Sequence, residues 1–242
     1  MAGRVAWGDA ATRPPSARVV PGQEDTMTSA YHSAQIPAGG VVLEADITIP
    51  QLARGMVLFA HGSGSSRFSP RNRHVAQRLQ QAGLATVLAD LLTPAEEETD
   101  ARTGEIRFDI GLLATRLEQL TDWLAEQERT AELSLGYFGA STGAAAALAA
   151  AAQRPGRVRA VVSRGGRPDL AGQFLPRVHQ ATLLIVGERD PVVLEINQHV
   201  LPKIPAETHL AIVPGASHLF EEPGALEQVA SLALDWFAEH LT

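Results

Sequence analysis

The chain has 242 residues, enough for one large core, and its 45% hydrophobic and 19% charged content is that of an ordinary globular domain. A formal net charge of −7 with no Lys/Arg block argues against nucleic acid as a partner, and the lack of cysteine excludes disulfides, thiolate metal sites and a cysteine nucleophile. Met1 to Arg18 holds no apolar signal-peptide core and no stretch is apolar enough to cross a membrane, so a cytoplasmic protein with no membrane partner is expected.

Residues 1–26 are rich in Gly, Pro, Ala and Arg without periodicity and read as a tail, with Met27 a second candidate start; 27–242 read as one domain. Strand character begins at Tyr31. Val41 to Ile49 alternates after Ala38-Gly39-Gly40, the pattern of a hairpin, and Pro50 ends it. Met56 to Ala60 is a continuous apolar run, as for a strand buried on both faces, and it empties into His61-Gly62-Ser63-Gly64-Ser65-Ser66-Arg67. A helix over Arg71–Gln81 follows, stopped by Gly83, and then a buried strand from Leu84 to Ala89 that ends at Asp90.

Leu91 to Arg107 reads as a polar loop. Its Glu96, Glu97, Glu98 and Asp100 could in principle hold a metal, but consecutive acids in such a loop are normally solvated, and no metal is expected. Leu112, Leu113, Leu117, Leu120 and Leu124 then repeat at helical spacing across Asp109–Gln127. Leu135 to Ala140 is another apolar strand, and it turns at Gly139-Ala140-Ser141-Thr142-Gly143 into an alanine-rich helix. Further strands are predicted at Arg159–Ser163, Ala181–Val186 and His209–Val213, with helices at Val193–Val200 and Gly224–Leu241. Strands alternating with helices predict an α/β fold: a doubly wound, mostly parallel sheet flanked by helices. Only about 17 residues, Arg164 to Gln180, separate two of the strands, too few for a large helical cap there.

Ligands of such sheets bind where the strands end at their carboxyl edge. Four polar signals fall at that edge: the Gly/Ser loop after His61, then Ser141, Asp190 and His218. A serine at the apex of a strand-turn-helix can act as a nucleophile if a base takes its proton, and His218 can do so if Asp190 fixes its tautomer. The Thr142 amide, with that of Ser63, is placed to receive an oxyanion. Asp190 followed by Pro191 could instead merely cap a helix. His61 reads as a structural residue that holds the oxyanion loop. Gly62-Ser63-Gly64-Ser65-Ser66-Arg67 begins like a dinucleotide fingerprint but has arginine in place of the third glycine.

These four motifs, in this order from about Tyr31 to the C-terminus, resemble the α/β-hydrolase superfamily, and the Ser-Gly-Ser-Ser-Arg loop resembles its dienelactone-hydrolase-like branch. The branch's namesake uses a cysteine nucleophile, where this chain has Ser141. The resemblance implies a cofactor-free serine hydrolase acting on small carboxylic esters, with activity that rises as His218 loses its proton. The same triad also serves acyltransferases, thioesterases and peptidases, and the fold has silent small-molecule-binding members. Arg67 and Arg164 lie just past strand ends and are candidate binders of an anionic substrate group, or else they brace loops against Asp90, Asp109 or Asp169.

Overall fold

The computed structural model describes residues 20–21 and 29–242. Apart from Val20–Pro21, the expected N-terminal tail lies outside the described residues. Those two residues form a short strand, β1, antiparallel to the next, so this much of the tail belongs to the sheet.

Strands β2 (Ser29–Ala38) and β3 (Val41–Pro50) make the expected hairpin around Gly39-Gly40, with Ala38 opposite Val41. The parallel strands are β4 (Gly55–Ala60), β5 (Leu84–Ala89), β6 (Leu135–Ala140), β7 (Val158–Arg164), β8 (Ala181–Gly187) and β9 (Thr208–Val213). Among the described residues nine strands run in the order β1-β2-β3-β5-β4-β6-β7-β8-β9, antiparallel up to the β3–β5 junction and parallel beyond it. Strands β4, β5 and β6 are buried at every position, which explains why their sequences are unbroken apolar runs.

Helices cover both faces. Helices α3 (Ile110–Glu126) and α4 (Thr142–Gln153) pack with Met56, Leu58 and Val161 of the sheet on one side. On the other, α1 (Pro70–Gln81) and α6 (Ala225–Leu241) pack with Val57, Phe59 and Val162. The alanines of α4 let that helix lie close to the sheet, since every residue from Thr142 to Ala151 is buried. A 3-10 segment, Pro168–Arg177, fills the short β7–β8 connection, and there is no large cap domain.

One expectation fails in a useful way. Part of the polar loop after β5 is a helix, α2 (Pro94–Thr103), begun by a reciprocal capping box between Thr93 and Glu96, with Pro94 in its first turn and Gly104 in the left-handed region past its end. Three of its four acids are held by ion pairs: Glu96 with Arg116 (2.7 Å), Glu98 with Arg102 (3.1 Å) and Asp100 with Arg107 (2.6 Å). Among the described residues no three His, Asp or Glu side chains gather as a metal-ligating set, and no helix is long and apolar enough to cross a membrane.

Candidate active site

The turn between β6 and α4 is drawn so tight that Ser141 sits at φ 53°, ψ −121°, a conformation a non-glycine residue adopts only under constraint. Its flanking glycines make that possible. A Cβ on Gly139 would overlap the backbone of Ala144, and one on Gly143 would overlap the carbonyls of Ala60 and His61. Hydrogen bonds fix the turn from the β7 side: the Ser141 N–H donates to Arg164 O (3.2 Å), and the Arg167 N–H donates to Ser141 O (3.1 Å). From the β4 side, Gly62 packs against the Ser141 side chain.

Asp190 opens α5 (Pro191–Val200), yet its side chain makes no capping bond to that helix. It turns instead to His218, whose Nδ1 lies 2.6 Å from Asp190 Oδ2. This contact answers the capping alternative: the carboxylate holds the imidazole, so Nδ1 carries a proton and Nε2 is the free nitrogen. Gly165 lies between the two halves of the site, next in chain to the residue that accepts from Ser141, and a Cβ there would meet the His218 ring at 3.5 Å. No hydrogen bond links Ser141 to His218 in this state.

The two expected oxyanion donors meet each other. Thr142 is the first residue of α4, so its N–H has no acceptor within the helix. The Ser63 N–H donates to Thr142 Oγ1 (3.1 Å), and the two hydroxyls are 3.0 Å apart. Thr142 therefore brings Ser63 to the turn but also occupies its amide. His61 is structural, as expected: its Nδ1–H donates to Gly62 O (3.0 Å) while Nε2 accepts from the Leu91 N–H (3.0 Å). Both bonds require the neutral ring, and burial pushes its pKa down.

Beside this loop lies a cleft of about 490 Å³, walled by Ser63, Ser65 and Thr142 on one side and by Pro94, Glu97 and Ala101 of α2 on the other. It meets the β6–α4 turn at Thr142 and Ser63 rather than enclosing Ser141. Burial, and then the nearby Asp90, pushes the Glu97 carboxyl above its usual range.

Arg67 and Arg164 part ways. Arg67 is enclosed by carboxylates: it pairs with Asp90, with Glu44 (2.8 Å) and with Asp46 (3.7 Å), and its own N–H donates to Asp90 Oδ1 (2.7 Å). That arrangement braces the loop and commits Nη1 and Nη2, while Nε, facing Asp46 at 3.7 Å, makes no hydrogen bond. Arg164 is 7% exposed, and its Nε and Nη1 have no hydrogen-bond partner.

A residue that sequence reasoning missed is Glu222. Its carboxylate accepts from the Ser217 N–H (3.0 Å) and from Arg189 Nη2 (2.6 Å). Ser217 precedes His218 and Arg189 precedes Asp190, so one side chain ties together the two loops that carry the pair. The backbone N–H of Ser217 and its own amide, with Arg189 adding less, hold its pKa down to about 2. No local pattern announces this role, which depends on two strand ends becoming neighbours.

A sequence model of the dienelactone hydrolase family matches residues 43–241. A crystal structure of dienelactone hydrolase from Anabaena variabilis is 57% identical, covers 89% of this chain and all of its own, and superposes with a TM-score of 0.87. A cold-adapted esterase from an Arctic intertidal metagenomic library shares the fold at 15% identity, with 90% of this chain and 97% of its own covered and a TM-score of 0.72. Two Mycobacterium tuberculosis proteins named as phosphoribosyl transferases are each 61% identical over 207 residues. The match spans 86% of this chain but only 46% of each of theirs, so the chain corresponds to about half of those proteins.

Proposed function

Because the chain belongs to the dienelactone hydrolase family, we propose that it is a serine hydrolase cleaving small carboxylic esters through an acyl-enzyme on Ser141. The observation that carries this reading is the 2.6 Å contact between Asp190 and His218, made by a carboxylate that leaves its own helix uncapped, on the edge where Ser141 stands at φ 53°.

The chemistry follows from the placement. Ser141 Oγ attacks the ester carbonyl carbon while His218 Nε2 takes the hydroxyl proton, and Asp190 stabilises the imidazolium through the Nδ1–H bond. The carbonyl oxygen becomes an oxyanion, received by the Thr142 N–H and by the Ser63 N–H once substrate displaces Thr142 Oγ1. His218 returns the proton to the departing alkoxide. Water then repeats the attack on the acyl-serine with His218 as base, releasing the acid and restoring Ser141.

The mycobacterial relatives' name describes proteins of which this chain matches less than half, and the residues argued here account for ester cleavage alone. Hydrolysis of p-nitrophenyl acetate and butyrate by the wild type and by Ser141→Ala tests the reading. We expect turnover that Ser141→Ala abolishes and a serine-directed fluorophosphonate that labels only the wild type. Equal background rates, with no labelling, would overturn it.

A further inference from the structure

Helix α2 turns one stripe toward the cleft beside the oxyanion loop. Pro94, Glu97, Glu98 and Ala101, spaced i, i+3, i+4 and i+7, all line it. The helix buries only Asp100, so this stripe packs no core and walls open space instead. The oxyanion loop opposite presents the hydroxyls of Ser63, Ser65 and Thr142, while Leu92 and Leu113 add apolar surface. A cleft of about 490 Å³ with apolar wall and a few convergent polar groups has the size and character of a small-molecule site.

Its charges do not balance. Glu96 is answered by Arg116, Glu98 by Arg102 and Asp100 by Arg107, which leaves Glu97 the one acid of α2 without an ion pair among the described residues. Burial, and then Asp90, disfavours the Glu97 charge, and Arg67 offsets only part of this. Arg67 is itself met by three carboxylates, so little of its charge is left for Glu97. The cleft thus holds an excess negative charge opposite hydroxyl oxygens whose lone pairs can also face a cation. Such a lining suits an ammonium group.

Sheet order indicates which part of a substrate reaches it. Ser141 follows β6, and the cleft is built from segments that follow β4 and β5, on one side of that strand. His218 follows β9 and lies near Gly165, just past β7, on the other side. Because His218 gives its proton to the departing alkoxide, the alcohol belongs on the β7 side and the acyl chain runs into the cleft.

We propose that Glu97 makes this cleft a binding site for an acyl chain that carries an ammonium group. Resting on the hydrolase reading, this narrows the substrate to an ester of a cationic acid, with Glu97 facing the charged nitrogen and Leu92 and Leu113 taking the methylenes.

Two substrates of one shape isolate the charge: p-nitrophenyl 4-(trimethylammonio)butanoate and its neutral carbon counterpart, p-nitrophenyl 5,5-dimethylhexanoate. We expect the ratio of their kcat/KM values to favour the cation in the wild type. It should fall about fivefold with Glu97→Gln, as for loss of an ion pair still partly open to water. Glu98→Gln, which removes an acid already answered by Arg102, should move the ratio less than about twofold. Binding is read without turnover in Ser141→Ala. Its melting temperature should rise by a few degrees in butyltrimethylammonium chloride over sodium chloride at matched ionic strength, and the rise should vanish when Glu97→Gln is added. A ratio that Glu97→Gln leaves unmoved, an equal fall with Glu98→Gln, or a melting shift that survives Glu97→Gln would overturn the site. A Glu97-dependent shift in a protein that cleaves neither ester would leave the cation site standing and remove the hydrolase reading.

Discussion

The loop after β4 and the end of β7 lie on the same edge of the sheet, and each carries an arginine largely withdrawn from water. Around Arg67 the chain has assembled Glu44 and Asp46 from within β3 and Asp90 from the end of β5, and Arg73 shares Asp46 at 2.8 Å. The face of Phe68 is covered by both guanidinium groups. Around Arg164 there is an aromatic ring, another arginine and a helix N-terminus, with no acid on the guanidinium. The same residue type at the same edge is thus a brace in one place and an unanswered charge in the other. Burial alone does not say what an arginine is for; the partners do.

The largest effect separating the two should come from the brace. Asp90→Ala removes the acceptor of both the Arg67 backbone N–H and its Nη1, and breaking such a withdrawn pair costs about 3 kcal/mol. Urea unfolding should report that loss in the midpoint, with the slope unchanged. A loss under about 1 kcal/mol, the range of a surface salt bridge, would mean that Arg67 is held by solvent-exposed contacts and is not a brace.

The opposite sign is expected at the end of β7. Arg164→Met removes a buried charge that has no partner and leaves an apolar chain against Phe220, so the variant should be about 1–2 kcal/mol more stable than the wild type in urea unfolding. Lower stability of Arg164→Met would erase the contrast and return Arg164 to a structural role.

Much of this frame is legible in the sequence, because the signals are local. The apolar runs before Gly139 and Asp90 announce buried strands, and Gly139-Ala140-Ser141-Thr142-Gly143 announces the tight turn by itself. What escapes is of two kinds. Helix α2 buries only Asp100, so it leaves no apolar period to find, and its marks are the quieter ones of Thr93, Pro94, Glu96 and Gly104. The second kind is non-local: Arg67 and Arg164 both come at the ends of apolar runs and look alike until strand order sets Glu44 and Asp46 beside one and the packing of α1 sets Arg71 beside the other. Glu222 is the same case, since Ser217 and Arg189 are brought together only by the pairing of β8 with β9.

Glu222 gives the smallest of these effects, and it sharpens the comparison because it is a carboxylate with partners in the loops that carry Asp190 and His218. Its pKa is held at about 2, below the roughly 4.3 of an unfolded glutamate, so its stabilisation is fully present above that unfolded value and is lost as pH falls toward 2. Glu222→Gln keeps an acceptor for the Ser217 N–H but gives up the charge on Arg189. The variant should therefore melt below the wild type at pH 6, and the difference should shrink between about pH 4.5 and 2. Because the clamp positions Asp190 and His218 without touching substrate, kcat should fall a few-fold while KM holds. A melting difference that stays constant across that pH range would show that the carboxylate charge is not what joins the two loops, and an unchanged kcat would detach the clamp from Asp190 and His218.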